Sequence, residues 1–297
     1  VKFTVEYPIS APGYDPALVR PGGMRRVVRA AEEAGFAAVG FTEHPAPSKK
    51  WLDAGGHEAL DPIAALSYCA AVSERIRLMT HLLVLPYHNP FLLAKSLTTV
   101  DLLSEGRLTV VAGAGYLRSE FLTMGVDMAG RNARFDESIE VLRGVWGKVP
   151  FDHRGPLFEG RDVAALPAPL TPGGPPIWIG GNSALARRRA ARNQGWSPFM
   201  TDGELARTAR TAAITTVEQL ARHVEEVCEL AGRAVEVQVR TPAHRYMIDG
   251  GSAEEHRDHL GRLAEAGVTS FVVRPPGASV AAAVEALHGY AETFRRG

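Results

Sequence analysis

The chain has 297 residues, of which 45% are apolar and 22% charged, enough to bury a large core as one or two domains. Thirty-three basic residues balance thirty-three acidic ones, so no global field favours nucleic acid or an anionic membrane surface as a partner. No apolar run reaches the roughly 18 residues that a spanning helix needs. The first residues also lack the basic and long apolar stretches of a signal peptide, which makes a cytoplasmic location the expectation. Cys69 and Cys228 both fall in helix-like stretches, against a disulfide framework or a cysteine-rich metal site.

Short β-branched or aromatic runs alternate with longer amphipathic ones. Strands are predicted at 2–7, 37–41, 77–83, 108–112, 176–179, 196–198, 235–240 and 269–273. Helical patterns lie between them at 22–34, 62–73, 91–104, 133–146, 184–192, 217–230, 253–266 and 280–294. Gly35 and Gly267 stand where helix C-termini favour glycine, and Ser252 with Glu255 forms a capping-box pattern. Such a series of strand–helix units predicts an α/β fold of the (β/α)8 TIM barrel type. A doubly wound sheet would carry Gly-x-Gly-x-x-Gly after its first strand, where this chain has Pro8 and an irregular loop. Segment 151–174, with four prolines and four glycines, breaks the rhythm after the fourth unit. It reads as an insertion over the barrel mouth within a single domain spanning 1–297, since no comparably long polar linker divides the chain.

In such a barrel, function collects at the C-terminal ends of the strands. The second ends Phe41-Thr42-Glu43-His44-Pro45, bringing a carboxylate and an imidazole to the mouth together. The third carries Thr80-His81-Leu82 and runs on to Tyr87-His88-Asn89-Pro90, and the fourth ends in the small-residue edge Gly113-Ala114-Gly115-Tyr116. The fifth, Ile177-Trp178-Ile179, passes into Gly180-Gly181-Asn182-Ser183 and then directly into a helical pattern. Adjacent glycines let backbone approach a ligand, Asn182 and Ser183 can cap the helix, and its free N–H groups favour an anion. The same turn is also an ordinary strand-to-helix connection; its position beside two small-residue edges and an imidazole-rich rim points to a long cofactor with an aromatic ring at one end.

At these segments the chain resembles the bacterial luciferase-like superfamily of flavin monooxygenases and deazaflavin-dependent oxidoreductases. The resemblance rests on Glu33-Ala34-Gly35-Phe36 leading to Glu43-His44, Leu83-Val84-Leu85-Pro86 leading to Asn89-Pro90, and Asp101-Leu102-Leu103-Ser104-Glu105-Gly106-Arg107-Leu108. It continues through Gly113-Ala114-Gly115-Tyr116, Glu120-Phe121, Arg134-Phe135-Asp136-Glu137 and Pro176-Ile177-Trp178-Ile179-Gly180-Gly181-Asn182-Ser183. Within the superfamily the chain is most similar to the branch assigned to coenzyme F420. The resemblance implies a non-prolyl cis peptide at His81-Leu82 supporting a cofactor ring, with Glu43, His81, Leu82, Ala114, Gly115, Tyr116 and Ser119 around the ring and its side chain. It places Ile179, Gly180, Gly181, Asn182 and Ser183 at the phosphate. It also implies F420 as cofactor, FMN as the alternative, a small-molecule substrate and a homodimer. Two positions depart from the pattern: His81 stands where the family often has a small residue, and Tyr116 where the sugar-phosphate dehydrogenases have glutamate, which disfavours that reaction.

His44 is the first catalytic candidate, because an imidazole can give or take the proton that accompanies hydride transfer. An equal reading has it hydrogen-bonded to Glu43 or a loop carbonyl as an orienting group. His57 and His88 are candidates for the pocket rim, and Trp51 and Tyr87 for apolar walls. His256 and His259, three apart, read as part of a charged solvent face rather than as metal ligands. The expected activity is hydride transfer to or from a small organic substrate with F420. Luciferase-like monooxygenation with FMN is the alternative, a non-catalytic cofactor binder is another, and a metal-dependent hydrolase using His44, His81 and His88 ranks last.

Overall fold

A computed structural model of the chain describes residues 1–10 and 13–294. Eight parallel strands close into a barrel: β1 (Lys2–Glu6), β2 (Ala38–Phe41), β3 (Arg77–Val84), β4 (Leu108–Gly113), β7 (Ile177–Gly180), β8 (Gly195–Ser197), β9 (Glu236–Val239) and β10 (Ser270–Val273). Each pairs with its neighbour in the chain, and β10 closes on β1. β5 (Phe151–Arg154) and β6 (Glu159–Val163) form a separate antiparallel hairpin.

The outer ring consists of α1 (Pro21–Glu33), α3 (Pro62–Val72), α4 (Pro90–Leu103), α6 (Arg131–Gly147), α7 (Ala184–Ala191), α9 (Val217–Ala231), α11 (Ala253–Glu265) and α12 (Val280–Phe294). Short helices α2 (Lys49–Asp53), α5 (Arg118–Thr123), α8 (Gly203–Thr208) and α10 (Tyr246–Asp249) sit in the loops. Helix starts follow local chemistry. Asp61 and Asn89 accept first-turn amides ahead of Pro62 and Pro90, and Ser183, Thr216 and Ser252 cap α7, α9 and α11. Helix α9 ends at Gly232 with φ 63°, a left-handed value that favours glycine.

The main core lies between the strands and the helix ring, with Leu66, Leu78, Leu97, Val110 and Leu263 fully buried. A second, smaller cluster fills the barrel lumen: Ala38, Met79 and Val111, with Leu82 and Trp178 packed against it. A Cβ on Gly195 would stand 2.5 Å from the Trp178 ring, so glycine there leaves room for the indole. Beside this cluster, the Thr4 hydroxyl donates to Gln238 Oε1 at 2.7 Å and lies 3.2 Å from Ser270 Oγ.

All eight predicted strands form, displaced by no more than a residue or two at their ends, and so do the eight long helices. No residue of segment 151–174 lines the mouth cavity. Its hairpin packs on the flanks of α4 and α6, because its polar backbone finds partners there. Glu137 accepts the amides of Leu157 and Phe158 and bonds His153, while Asp101 accepts the Thr171 amide and hydroxyl. His256 and His259 are not on a solvated face. His256 is buried against Tyr246 and bonds the Tyr290 hydroxyl at 2.8 Å, and His259 meets Thr241 Oγ1 at 3.0 Å.

Since Glu137 satisfies two hairpin amides and a histidine at once, Glu137→Ala should destabilise the protein by about 2 kcal/mol and expose the hairpin tip to protease. Chemical denaturation with parallel limited proteolysis checks this; an unchanged midpoint and cleavage pattern would count against the hairpin's dependence on Glu137.

Candidate cofactor and active site

The strand ends enclose a cavity of about 480 Å³ at the C-terminal mouth of the barrel, a volume suited to a small molecule or part of a larger cofactor. One wall is the end of β3. His81 and Leu82 are joined by a non-prolyl cis peptide, and both side chains line the cavity. Glycines make space for them. A Cβ on Gly40 would stand 2.9 Å from His81 Cβ, and Cβ atoms on Gly113 or Gly180 would each stand 2.4 Å from a Leu82 methyl. Gly115, at φ 75°, adopts a left-handed turn against Val84 and Phe121.

A second wall is built from the β2 loop. His44 Nδ1 lies 3.2 Å from Glu120 Oε2, and Glu120, on α5, is almost fully buried. The same carboxylate accepts the Ala46 amide and the Tyr87 hydroxyl, so several donors hold it in place. The tautomer that donates Nδ1–H to this fixed carboxylate would present Nε2 as an acceptor to the cavity. The His44 ring packs on Trp51 at 4.5 Å and on His57 at 4.9 Å, with Tyr116 at 6.2 Å. Burial, then the nearby Glu120 charge, pushes the Tyr116 phenol up to about 12, so it remains a protonated donor.

Glu43, next to His44, has a different task. It accepts the Val84 amide and bonds His88 Nε2 at 2.8 Å, tying the β2 loop to the end of β3. His44 is therefore an orienting partner of Glu120, not of Glu43. His44, His81 and His88 bond to three separate partners, Glu120, Gln238 and Glu43, and no group of three His, Cys, Asp or Glu placed to hold a metal ion occurs among the described residues.

The third wall is the turn from β7 into α7. Gly181 has φ 100°, and only Ala186, 3.8 Å away, stands near a Cβ built there. Ser183 Oγ caps the helix by accepting the Ala186 amide. The amides of Ser183, Ala184 and Leu185 have no acceptor among the described residues, which leaves three donors and the positive helix end for an anion. These residues fit a phosphate-bearing cofactor.

Of the residues singled out from sequence, Glu43, His44, His81, Leu82, Ala114, Gly115, Tyr116, Ile179, Gly180, Gly181 and Ser183 all border this one cavity. Two do not. The Asn182 side chain turns away from it, donating to the Phe199 and Ala212 carbonyls and accepting the Phe199 amide, so it staples the neighbouring loops. Ser119 lies on α5 outside the lining. Sequence reasoning missed Glu120, Arg131, Arg210 and Arg240. Glu120 stood within a quoted motif without a role, and Arg131 at the start of α6, Arg210 after α8 and Arg240 just past β9 face the cavity only through the tertiary structure.

The model of the luciferase-like monooxygenase family matches residues 3–296. The chain belongs to that family. With it, the chain is an oxidoreductase of a group whose members use flavin or F420. The FMNH2-dependent dimethylsulfone monooxygenase of Pseudomonas fluorescens is 32% identical over 60% of this chain and 47% of its own length. Among solved structures, the monooxygenase RslO1 of Streptomyces bottropensis superposes with a TM-score of 0.78 at 20% identity, covering 100% of this chain and 99% of its own. An F420-dependent secondary alcohol dehydrogenase gives 0.75 at 15% identity, covering 99% and 98%. These two structures share the fold. No helix among the described residues is long and apolar enough to cross a membrane.

Burial, partly opposed by Glu6 and reinforced by Arg240, lowers His81 to about 4; burial and then Arg240 do the same for His244. Burial also lowers His256 to about 4. Unfolded histidines titrate near 6.5, so as pH falls from about 6.5 to about 4 the unfolded chain takes up protons that the native state refuses. Stability should therefore decline through this window, and the thermal midpoint followed by circular dichroism should fall steadily. A midpoint independent of pH there would contradict the buried neutral histidines.

Proposed function

We propose that the protein is an F420-dependent oxidoreductase that moves a hydride to or from a small organic substrate. The observation that carries the choice of F420 is a second groove, of about 470 Å³, walled by Arg118, Phe121, Met128, Arg131 and Arg210. It shares Arg131 and Arg210 with the mouth cavity, beside Ser183 and Gly181. FMN ends at its ribityl phosphate, whereas F420 continues past the equivalent phosphate into an anionic tail. With three arginines against the single carboxylate of Asp127, a net cationic groove that shares residues with the cofactor cavity would offer that tail a path and offer FMN nothing.

When bound, the deazaflavin ring supplies the carbon that gives or takes the hydride. The chain's residues supply the rest. Ser183, Ala184 and Leu185 amides hold the phosphate, and His81 and Leu82 support one face of the ring. Glu120 keeps a proton on His44 Nδ1, and His44 Nε2 exchanges the substrate proton that must move with the hydride. Tyr116 donates a hydrogen bond at the same wall.

Fluorescence titrations with F420 and FMN side by side test the reading. F420 should bind about tenfold or more tightly than FMN, and Arg131→Ala with Arg210→Ala should remove that advantage by weakening F420 binding far more than FMN binding. Tighter binding of FMN would overturn the choice. For the dyad, Glu120→Gln should slow turnover by about 10- to 100-fold with cofactor affinity retained, and His44→Ala should slow it at least as much. Full turnover in either variant would exclude the relay.

A further inference from the structure

One corner of the mouth cavity has no part in the cofactor reading. Strand alternation builds it: Thr4 and Glu6 lie two apart on β1, as do Gln238 and Arg240 at the end of β9, and Ser270, Val272 and Arg274 along β10. Since Thr4, Gln238 and Ser270 meet in the lumen, Glu6 and Arg240 follow them one layer up and Arg274 two. Glu6 is almost fully buried and accepts the Ser10 hydroxyl through Oε1. Its Oε2 has no hydrogen-bond partner among the described residues, and neither does the buried Nε of Arg274. Arg240 Nη1 lies 3.6 Å from Glu6 Oε2, too far for a hydrogen bond, and Arg274 Nη1 lies 3.9 Å from Oε1.

The Arg240 side chain is a third exposed, borders the cavity, and makes no hydrogen bond through its guanidinium among the described residues. The Phe199 ring, 5.8 Å from its guanidinium carbon, supports it. Burial outweighs all else at His81 and His244, which stay neutral near pH 7, and Arg245 and Asp249 just outside pair with one another. Two arginines against one carboxylate leave a single positive charge in excess at the wall of the cavity. That excess favours an anion, and the neighbouring Glu6 charge favours one that carries a single negative charge.

We infer that this corner anchors the substrate and that the substrate is an organic acid, whose carboxylate is held by the Arg240 guanidinium while the remainder extends into the cavity that His44 also walls. A planar guanidinium backed by an aromatic ring matches a carboxylate with two parallel N–H···O bonds. A phosphate dianion would bring one charge too many beside Glu6. The inference rests on the redox reading for the cavity's purpose, but its own test is independent of turnover.

Isothermal titration of the full chain, with and without F420, against benzoate and its neutral isostere benzamide provides the test. Benzoate should bind about tenfold or more tightly than benzamide. Arg240→Gln should abolish that preference without changing benzamide affinity, Arg240→Lys should retain part of it, and Glu6→Gln should strengthen benzoate binding. A merely structural Arg240 would not produce the opposite effects of the two charge changes. Equal binding of benzoate and benzamide to the native chain, an unchanged preference in Arg240→Gln, or weaker benzoate binding in Glu6→Gln would each overturn the inference. Should Arg240→Gln fail to fold, Arg240→Lys and Glu6→Gln decide the matter. If F420 does not bind while the benzoate series behaves as expected, the cofactor reading falls and the anion corner stands; the reverse pattern removes the anion corner alone.

Discussion

The mouth of this barrel depends on space cleared for two neighbouring side chains. His81 and Leu82 both line the cavity, and Gly40, Gly113 and Gly180, on the three surrounding strands, lack the Cβ atoms that would collide with them. Close packing makes this a strict condition, because a single methyl on any of the three would displace a wall residue. Leu82 also packs on the Met79, Val111 and Trp178 cluster, so the floor of the cavity is continuous with the filled lumen below. The site is thus a rigid surface on which mobile groups need little further ordering.

Around that surface the charges are segregated. The β7–α7 turn offers backbone amides, the β2 loop offers an imidazole held by the buried Glu120, and the β1, β9 and β10 ends carry the Glu6, Arg240 and Arg274 cluster. Glu6 is driven up by burial but is held down at about 2 overall by Arg240, with Arg274 adding to it, so it stays ionised. Each charged group has a local reason for its protonation state, and the three walls do not compete for the same partners. Apolar and aromatic contacts, such as Trp51 on His44, fill the spaces between them.

The barrel was legible in the sequence because strand and helix periods alternate cleanly and the helix ends carry their own capping chemistry. The strand-end residues were legible for the same reason: once strands are placed, the residues that follow them must face the mouth. What was not legible depends on long-range pairing. Segment 151–174 looks irregular by composition, and only the carboxylates of Asp101 and Glu137, distant in sequence, show where it packs. Asn182 looked like a ligand contact, but its amide is used up by the Phe199 and Ala212 backbone. Glu120 and Arg240 gained meaning only when α5 and the end of β9 were seen to face the cavity, since a lone charged residue carries no signal of its own.

The account as a whole holds that one cavity receives a phosphate-bearing aromatic cofactor, with its ring against β3 and its phosphate at the start of α7. A crystal structure of the protein loaded with F420 tests this most directly. The account predicts ring density against His81 and Leu82, phosphate density within hydrogen-bond distance of the Ser183, Ala184 and Leu185 amides, and the tail running along Arg131 and Arg210. A ring lodged elsewhere, or a phosphate held by side chains away from the β7–α7 turn, would contradict it.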